Sequence, residues 1–231
     1  MLVAPVPDAE TSDVSDDSLA RSIEHTALRP EATPDDIKKL CEEADSHGFT
    51  AVCLSSSYVR LAAESLASSL VRVCTVVGFP HGACTTSSKL DEAQGALNDG
   101  AVELGMMLHV GYVRGGFYNE VLRDIKTVSM AAHTRSALLR VILESGLLGR
   151  EDTMRACRLA IEAGADFVDT STGFGSVETT PADVRFLRLC VGADIGVKAS
   201  GQIGTRQLAV EMLSAGANRL GTSRSLSILK G

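Results

Sequence analysis

The sequence predicts an α/β fold of one kind, a closed (βα)8 TIM barrel. Three observations carry this expectation. First, four segments repeat one design: "SHGFTAVCL" (46–54), "NDGAVELGM" (98–106), "EAGADFVDT" (162–170) and "SAGANRLGT" (214–222). In each, a polar helix end meets a glycine and runs into a short apolar strand, as a helix C-cap feeding a buried strand does. Second, strands and amphipathic helices alternate with no long linker between them, which favours a barrel over an open sheet. Third, no G-x-G-x-x-G follows the first strand, which counts against a dinucleotide-binding sheet. The 231 residues, 45% of them hydrophobic, are enough for one such core.

In chain order the strands fall at about 22–26, 50–55, 71–77, 101–108, 137–143, 165–170, 194–199 and 218–222. The helices fall at about 34–47, 57–68, 86–99, 116–132, 150–163, 181–190 and 204–215. The second, fourth, sixth and eighth strands leave the four repeated glycines, and the others are apolar runs such as "VRVCTVV" between amphipathic stretches. Ahead of them lies an acidic tail, 1–18, with Asp8, Glu10, Asp13, Asp16 and Asp17 and neither Lys nor Arg. Its composition predicts disorder, which places the barrel domain at 19–231.

Removing the tail's acids reduces the net charge of −7 to 24 acidic against 22 basic residues. That near-neutral body offers no basic face for a nucleic acid. The tail lacks a basic n-region and an apolar run of signal length, and no stretch approaches the ~20 residues of a membrane span. No membrane association and a cytoplasmic location are therefore expected. Cysteines 41, 53, 74, 84, 157 and 190 contain no C-x-x-C pair and sit mostly in apolar runs. They read as buried free thiols.

In a barrel the functional groups come from the C-terminal ends of the strands, and alternation decides which side chains point inward. On the fifth strand Leu139, Val141 and Leu143 face the helices, which leaves Arg140, Ile142 and Glu144 inside. The same parity puts Glu103, Gly105, Met107 and His109 inside on the fourth strand, Asp169 on the sixth and Lys198 on the seventh. With Glu24 these form a charged interior, where branched apolar residues are usual and a buried charge is costly unless paired. The set marks an active site or a structural ion network, and Arg140 and Glu144 could simply pair.

The separated motifs "IEHTALRPEAT", "VCTVVGFPHGACTT", "VDTSTGFG" and "GVKASGQI" resemble the deoxyribose-phosphate aldolases over nearly everything after the tail. The resemblance implies a barrel that makes or breaks a carbon–carbon bond through a lysine Schiff base, with a phosphate held by glycine-rich turns at the last strands. Carried over, the Schiff-base lysine falls on Asp169 and its assisting lysine on Lys198. The proton-relay aspartate of the fourth strand falls on Gly105, a fifth-strand lysine on Arg140 and the first-strand aspartate on Glu24. Thr172, Gly173 and Gly201 of the implied phosphate site remain. The second glycine of that turn is Gln202, and a serine pair on the last strand has become Ser223 and Arg224. A guanidinium there can clamp a phosphate or a carboxylate.

Two of three central groups are thus exchanged, and the implied mechanism cannot run as it stands. A Schiff-base lysine must lose its proton, yet Lys198 faces a carboxylate on the neighbouring strand. At ~4 Å and an effective dielectric near 20 the attraction is about 4 kcal/mol, which holds the lysine protonated. Asp169 or Glu24 then serves as general base while Lys198 and Arg140 stabilise the developing oxyanion, with His109 assisting proton transfer. Two alternatives stay open: Lys198 as a displaced nucleophile, and a relative that binds an anionic metabolite without chemistry. No ligand spacing specifies a metal, Arg140 and Lys198 would repel one, and no cofactor is expected. The expected partners are a small anionic carbonyl or sugar-phosphate-like substrate and, as an assembly, a homodimer.

Overall fold

Eight parallel strands pair in chain order and close on themselves, the last against the first. The structure is a computed structural model and describes residues 14–230. The first half runs α1 (Asp16–Ser22), β1 (Ile23–Ala27), α2 (Pro34–His47), β2 (Ala51–Leu54), α3 (Val59–Ser65), β3 (Arg72–Val77), α4 (Thr86–Asp99) and β4 (Glu103–Met107). After it come α5 (Val110–Arg114), α6 (Tyr118–Thr134), β5 (Leu138–Ile142), α7 (Arg150–Glu162) and β6 (Phe167–Asp169). The chain ends with α8 (Pro181–Val191), β7 (Gly196–Ser200), α9 (Arg206–Ser214), β8 (Arg219–Thr222) and α10 (Ser225–Lys230). The expected (βα)8 barrel is therefore the observed fold. Among the described residues no helix is long and apolar enough to cross a membrane.

The four repeated glycines explain why the pattern was readable. Gly48, Gly100, Gly164 and Gly216 all adopt positive φ just beyond a helix, a conformation that costs glycine little. Three elements depart from the expected layout, one of them α10, which follows the last expected strand. Residues 16–18, assigned to the acidic tail, form the first turn of α1, where Ser15 Oγ accepts the Ser18 N–H at 3.3 Å. Asp16 and Asp17 there lie at the positive end of the helix dipole. Residues 1–13 of the tail lie outside the described residues. The segment after β4 is also different, because α5 intervenes before α6.

Apolar side chains occupy two layers. Outward-facing residues such as Leu104, Met106, Leu139, Val141, Val168 and Val197 pack in the main core with the helices. Inside the barrel, Cys53, Cys74, Val76, Met107 and Ile142 form a small separate cluster. One charged pair lies within the outer layer. Lys89 of α4 is fully buried and donates to Asp124 Oδ2 of α6 at 2.6 Å and to the Met107 carbonyl at 3.0 Å. It ties two helices to the C-terminal end of β4. Lys89→Ala should destabilise the fold by about 3–5 kcal/mol, because it strands a buried carboxylate. Urea unfolding at neutral pH measures this, and Asp124→Asn in the same background should recover part of the loss.

Candidate functional site

Register brings the interior charges to one level. Ile142 pairs with Asp169, Asp169 with Lys198, Lys198 with Arg219, and Gly105 with Arg140. Period-two alternation then aims Arg140, Asp169, Lys198 and Arg219 into the barrel, where β1 supplies Glu24. Glu24 has no exposed surface. Its Oε1 accepts from Lys198 Nζ at 2.5 Å and Arg140 Nη2 at 3.2 Å. Its Oε2 accepts from Arg140 Nη1 at 2.9 Å and Arg219 Nη1 at 3.4 Å. Asp169 Oδ2 stands 3.2 Å from Lys198 Nζ and 3.4 Å from Arg140 Nε, while its buried Oδ1 has no hydrogen-bond partner. Below them Glu103 accepts from both terminal nitrogens of Arg219, and from Arg72 Nη1 at 3.0 Å.

Glycines make this crowding feasible. A Cβ at Gly105 would lie 3.0 Å from Arg140 Nη2, so the guanidinium fills space that a side chain there would need. A Cβ at Gly221 would lie 2.4 Å from Lys198 Cε. The lysine thus lies across bare backbone of β8.

The charge states follow from this geometry. Burial alone would raise Glu24, but Arg140, Lys198 and Arg219 outweigh it and hold the carboxyl well below its usual value of 4.5. Burial and the neighbouring Arg140 press Lys198 toward neutrality, yet Asp169 and Glu24 prevail and keep its ammonium above the ordinary lysine value. The surrounding carboxylates thus favour the cationic form of Lys198.

Above the network opens a cavity of about 720 Å³ at the C-terminal ends of the strands. Asp169, Lys198 and Arg140 line its floor, and Thr172, Gly173, Gly201, Gln202, Ser223 and Arg224 line one corner. Gln202 keeps the left-handed backbone at φ 62°, beside Gly201 at 105° and Gly173 at 76°. The turn therefore retains a glycine-like backbone path although Gln202 carries a side chain. Arg224 is exposed, its guanidinium packs over Gly204, and among the described residues no carboxylate lies within 4.0 Å of it.

Three of the expected residues lie outside the lining of this cavity. His109 does not line the cavity. The strand ends at Met107, so parity no longer applies, and His109 instead caps α5 by accepting the Tyr112 N–H at 3.2 Å while stacking on that ring at 3.6 Å. Glu24 does not line the cavity either, and cations already occupy both of its oxygens. Through these contacts it holds Arg140 and Lys198 in place. Glu144 does not pair with Arg140. It accepts from Ser171 Oγ at 3.1 Å, Thr172 N at 2.9 Å and Thr172 Oγ1 at 2.5 Å, and so shapes the loop after β6.

The family described as DeoC/LacD family aldolase matches residues 18–223. The chain belongs to that family. The deoxyribose-phosphate aldolase of Thermococcus gammatolerans is 48% identical to it over 215 residues, covering 92% of this chain and 96% of that protein. Its counterpart from a Geobacillus species is 46% identical over 216 residues, covering 94% and 96%. The deoxyribose phosphate aldolase of Aeropyrum pernix, described as having a unique tetrameric structure, superposes with a TM-score of 0.89 at 33% identity, covering 94% of this chain and 91% of that one. Within this DeoC/LacD frame the resemblance inferred from the four motifs is correct.

The lowered Glu24 carboxyl has a consequence for stability. Its contribution is complete above 4.5 and is lost as the pH falls toward the lower folded value. Glu24→Gln should therefore cost about 3–5 kcal/mol at pH 7 by leaving buried cations underpaired, and should flatten the acid limb of the stability curve. Urea unfolding at pH 7 and at pH 3 reads both effects.

Proposed function

We propose that this chain is an aldolase-like lyase acting on a small anionic carbonyl compound of the sugar-phosphate type, by acid–base chemistry without a Schiff base. The observation that carries this reading is the Asp169–Lys198 pair, 3.2 Å apart on the cavity floor, with Asp169 Oδ1 unpartnered. The names of the relatives, all deoxyribose-phosphate aldolases, support the substrate class. In the cleavage direction Asp169 Oδ1 takes the proton of a substrate hydroxyl and the adjacent carbon–carbon bond breaks. An aldehyde forms, and the bonding electrons pass to the second fragment as an enolate. Lys198 and Arg140 stabilise its oxygen, and a proton delivered to its carbon completes the reaction. The related eliminations and isomerisations share the same enolate and use the same groups.

The acidic end of the substrate belongs at the corner of Gly173, Gly201, Gln202, Ser223 and Arg224, where left-handed turns lie beside an exposed guanidinium. One observation favours a second reading, an anion binder without turnover. The interior charges already satisfy one another closely, so the network is stable with no ligand chemistry to perform.

Assay of the native chain against deoxyribose 5-phosphate, then against other phosphorylated or carboxylated carbonyl compounds, separates these readings. Asp169→Asn should retain the fold and lower turnover about 10²–10⁴-fold. Borohydride treatment during turnover should leave no adduct on Lys198. A stable adduct there would restore a Schiff-base mechanism with its nucleophile moved to β7, and ligand binding with no turnover of any of these compounds would favour the binder. Arg224→Ala should weaken inorganic phosphate by about ten- to a hundredfold, the loss of one charge-assisted contact, as read by calorimetry.

A further inference from the structure

Cys53 of β2 and Cys74 of β3 are register partners on adjacent parallel strands, and both belong to the apolar cluster inside the barrel. Adjacent strands lie about 4.8 Å apart, which falls within the Cα separation of about 4.4–6.8 Å that a disulfide spans. The two Sγ atoms and a Glu24 carboxylate oxygen all lie within 4.8 Å of one another. A metal ion is a poor occupant of that trio, since Arg140 and Lys198 already hold the Glu24 oxygens and repel a further cation. The thiols themselves have a different environment. Cys74 Sγ accepts an N–H from the Arg140 guanidinium (Nη2) at 3.1 Å, which places a cation directly against this sulfur. Cys53 lines the cavity and so gives small solutes a route to the pair.

We propose that Cys53 and Cys74 form a dithiol modification site at the cavity floor, which a small peroxide converts reversibly to an internal disulfide. Cys74 releases its proton, and its sulfur attacks one oxygen of hydrogen peroxide. The O–O bond breaks, and hydroxide leaves and takes up the proton as water. The Cys53 sulfur then displaces hydroxide from the resulting sulfenic acid, forming the S–S bond. The proton of Cys53 converts that hydroxide to a second water. The two thiols lose two electrons and two protons, and one peroxide becomes two waters.

The order of events follows from the surroundings of each sulfur. The hydrogen bond to Cys74 and burial push the Cys53 thiol well up, so Cys53 serves as the resolving partner. Because Cys74 contacts Arg140, the bond would couple the redox state of the pair to the guanidinium beneath the ligand. This inference goes beyond the proposed reaction and does not depend on it.

The test treats the full native chain with hydrogen peroxide, quenches in denaturant with N-ethylmaleimide, and maps all six cysteines by peptide mass spectrometry. The expected result is a joined peptide pair containing Cys53 and Cys74, two hydrogens lighter than the reduced pair. Labelling at both sites is then lost, and dithiothreitol restores it. In Cys53→Ser the joined pair disappears, and dimedone traps Cys74 as its sulfenic acid. Full labelling of Cys53 and Cys74 would overturn the proposal if exposed Cys84 is oxidised, or if the neighbouring Cys157 and Cys190 become joined instead.

Discussion

The Glu24 carboxylate is the interaction on which the barrel's interior depends. Three cations from three other strands converge on its two oxygens. An ammonium or guanidinium in a barrel would ordinarily be too costly to dehydrate. At ~4 Å and an effective dielectric near 20, each attraction is about 4 kcal/mol, so one carboxylate offsets much of that cost for several partners at once. Asp169 and Glu103 complete the balance at the two ends of the cluster. The arrangement holds only if β1, β5, β7 and β8 keep their register, because a one-residue slip turns a charged side chain toward the helices.

Rigidity at the floor contrasts with polar adaptability at the rim. Glu144 turns both carboxylate oxygens to the loop after β6, fixing Ser171 and Thr172 through hydrogen bonds. Glu144 itself has φ 51°, an unusual backbone for a non-glycine residue that the surrounding contacts hold in place. Across the rim the Arg224 side chain is exposed to solvent. The cavity thus combines preset charges below with an exposed cation above, which suits a ligand bearing a carbonyl at one end and an acid at the other.

Much of this was legible in the sequence. Glycine-punctuated repeats gave the barrel, and period-two alternation placed Arg140, Asp169 and Lys198 together before any contact was known. The failures share a physical cause. His109 was given strand parity although the strand stops at Met107, and nothing local marks that end as distinctly as a glycine marks a helix end. Arg219 and Arg72 were missed although they share inward parity with Gly221 and Cys74, because attention to strand ends passes over charges at strand beginnings. The role of Gly221 is invisible in its own segment, since it is defined by Lys198 of the preceding strand lying across it.

The fit of Arg140 against Gly105 bears on which substitutions the site can accept. A side chain at 105 would press on the guanidinium, and the guanidinium is held by Glu24 and Asp169. A lysine at 169 would place another cation among Arg140, Lys198 and Arg219 while removing one of their anions. A carboxylate at 105 would first require Arg140 to move. Neither residue fits until its neighbours change too. The floor is interlocked like a keyed joint, so that any exchange at one of these positions would have to proceed through several coordinated substitutions.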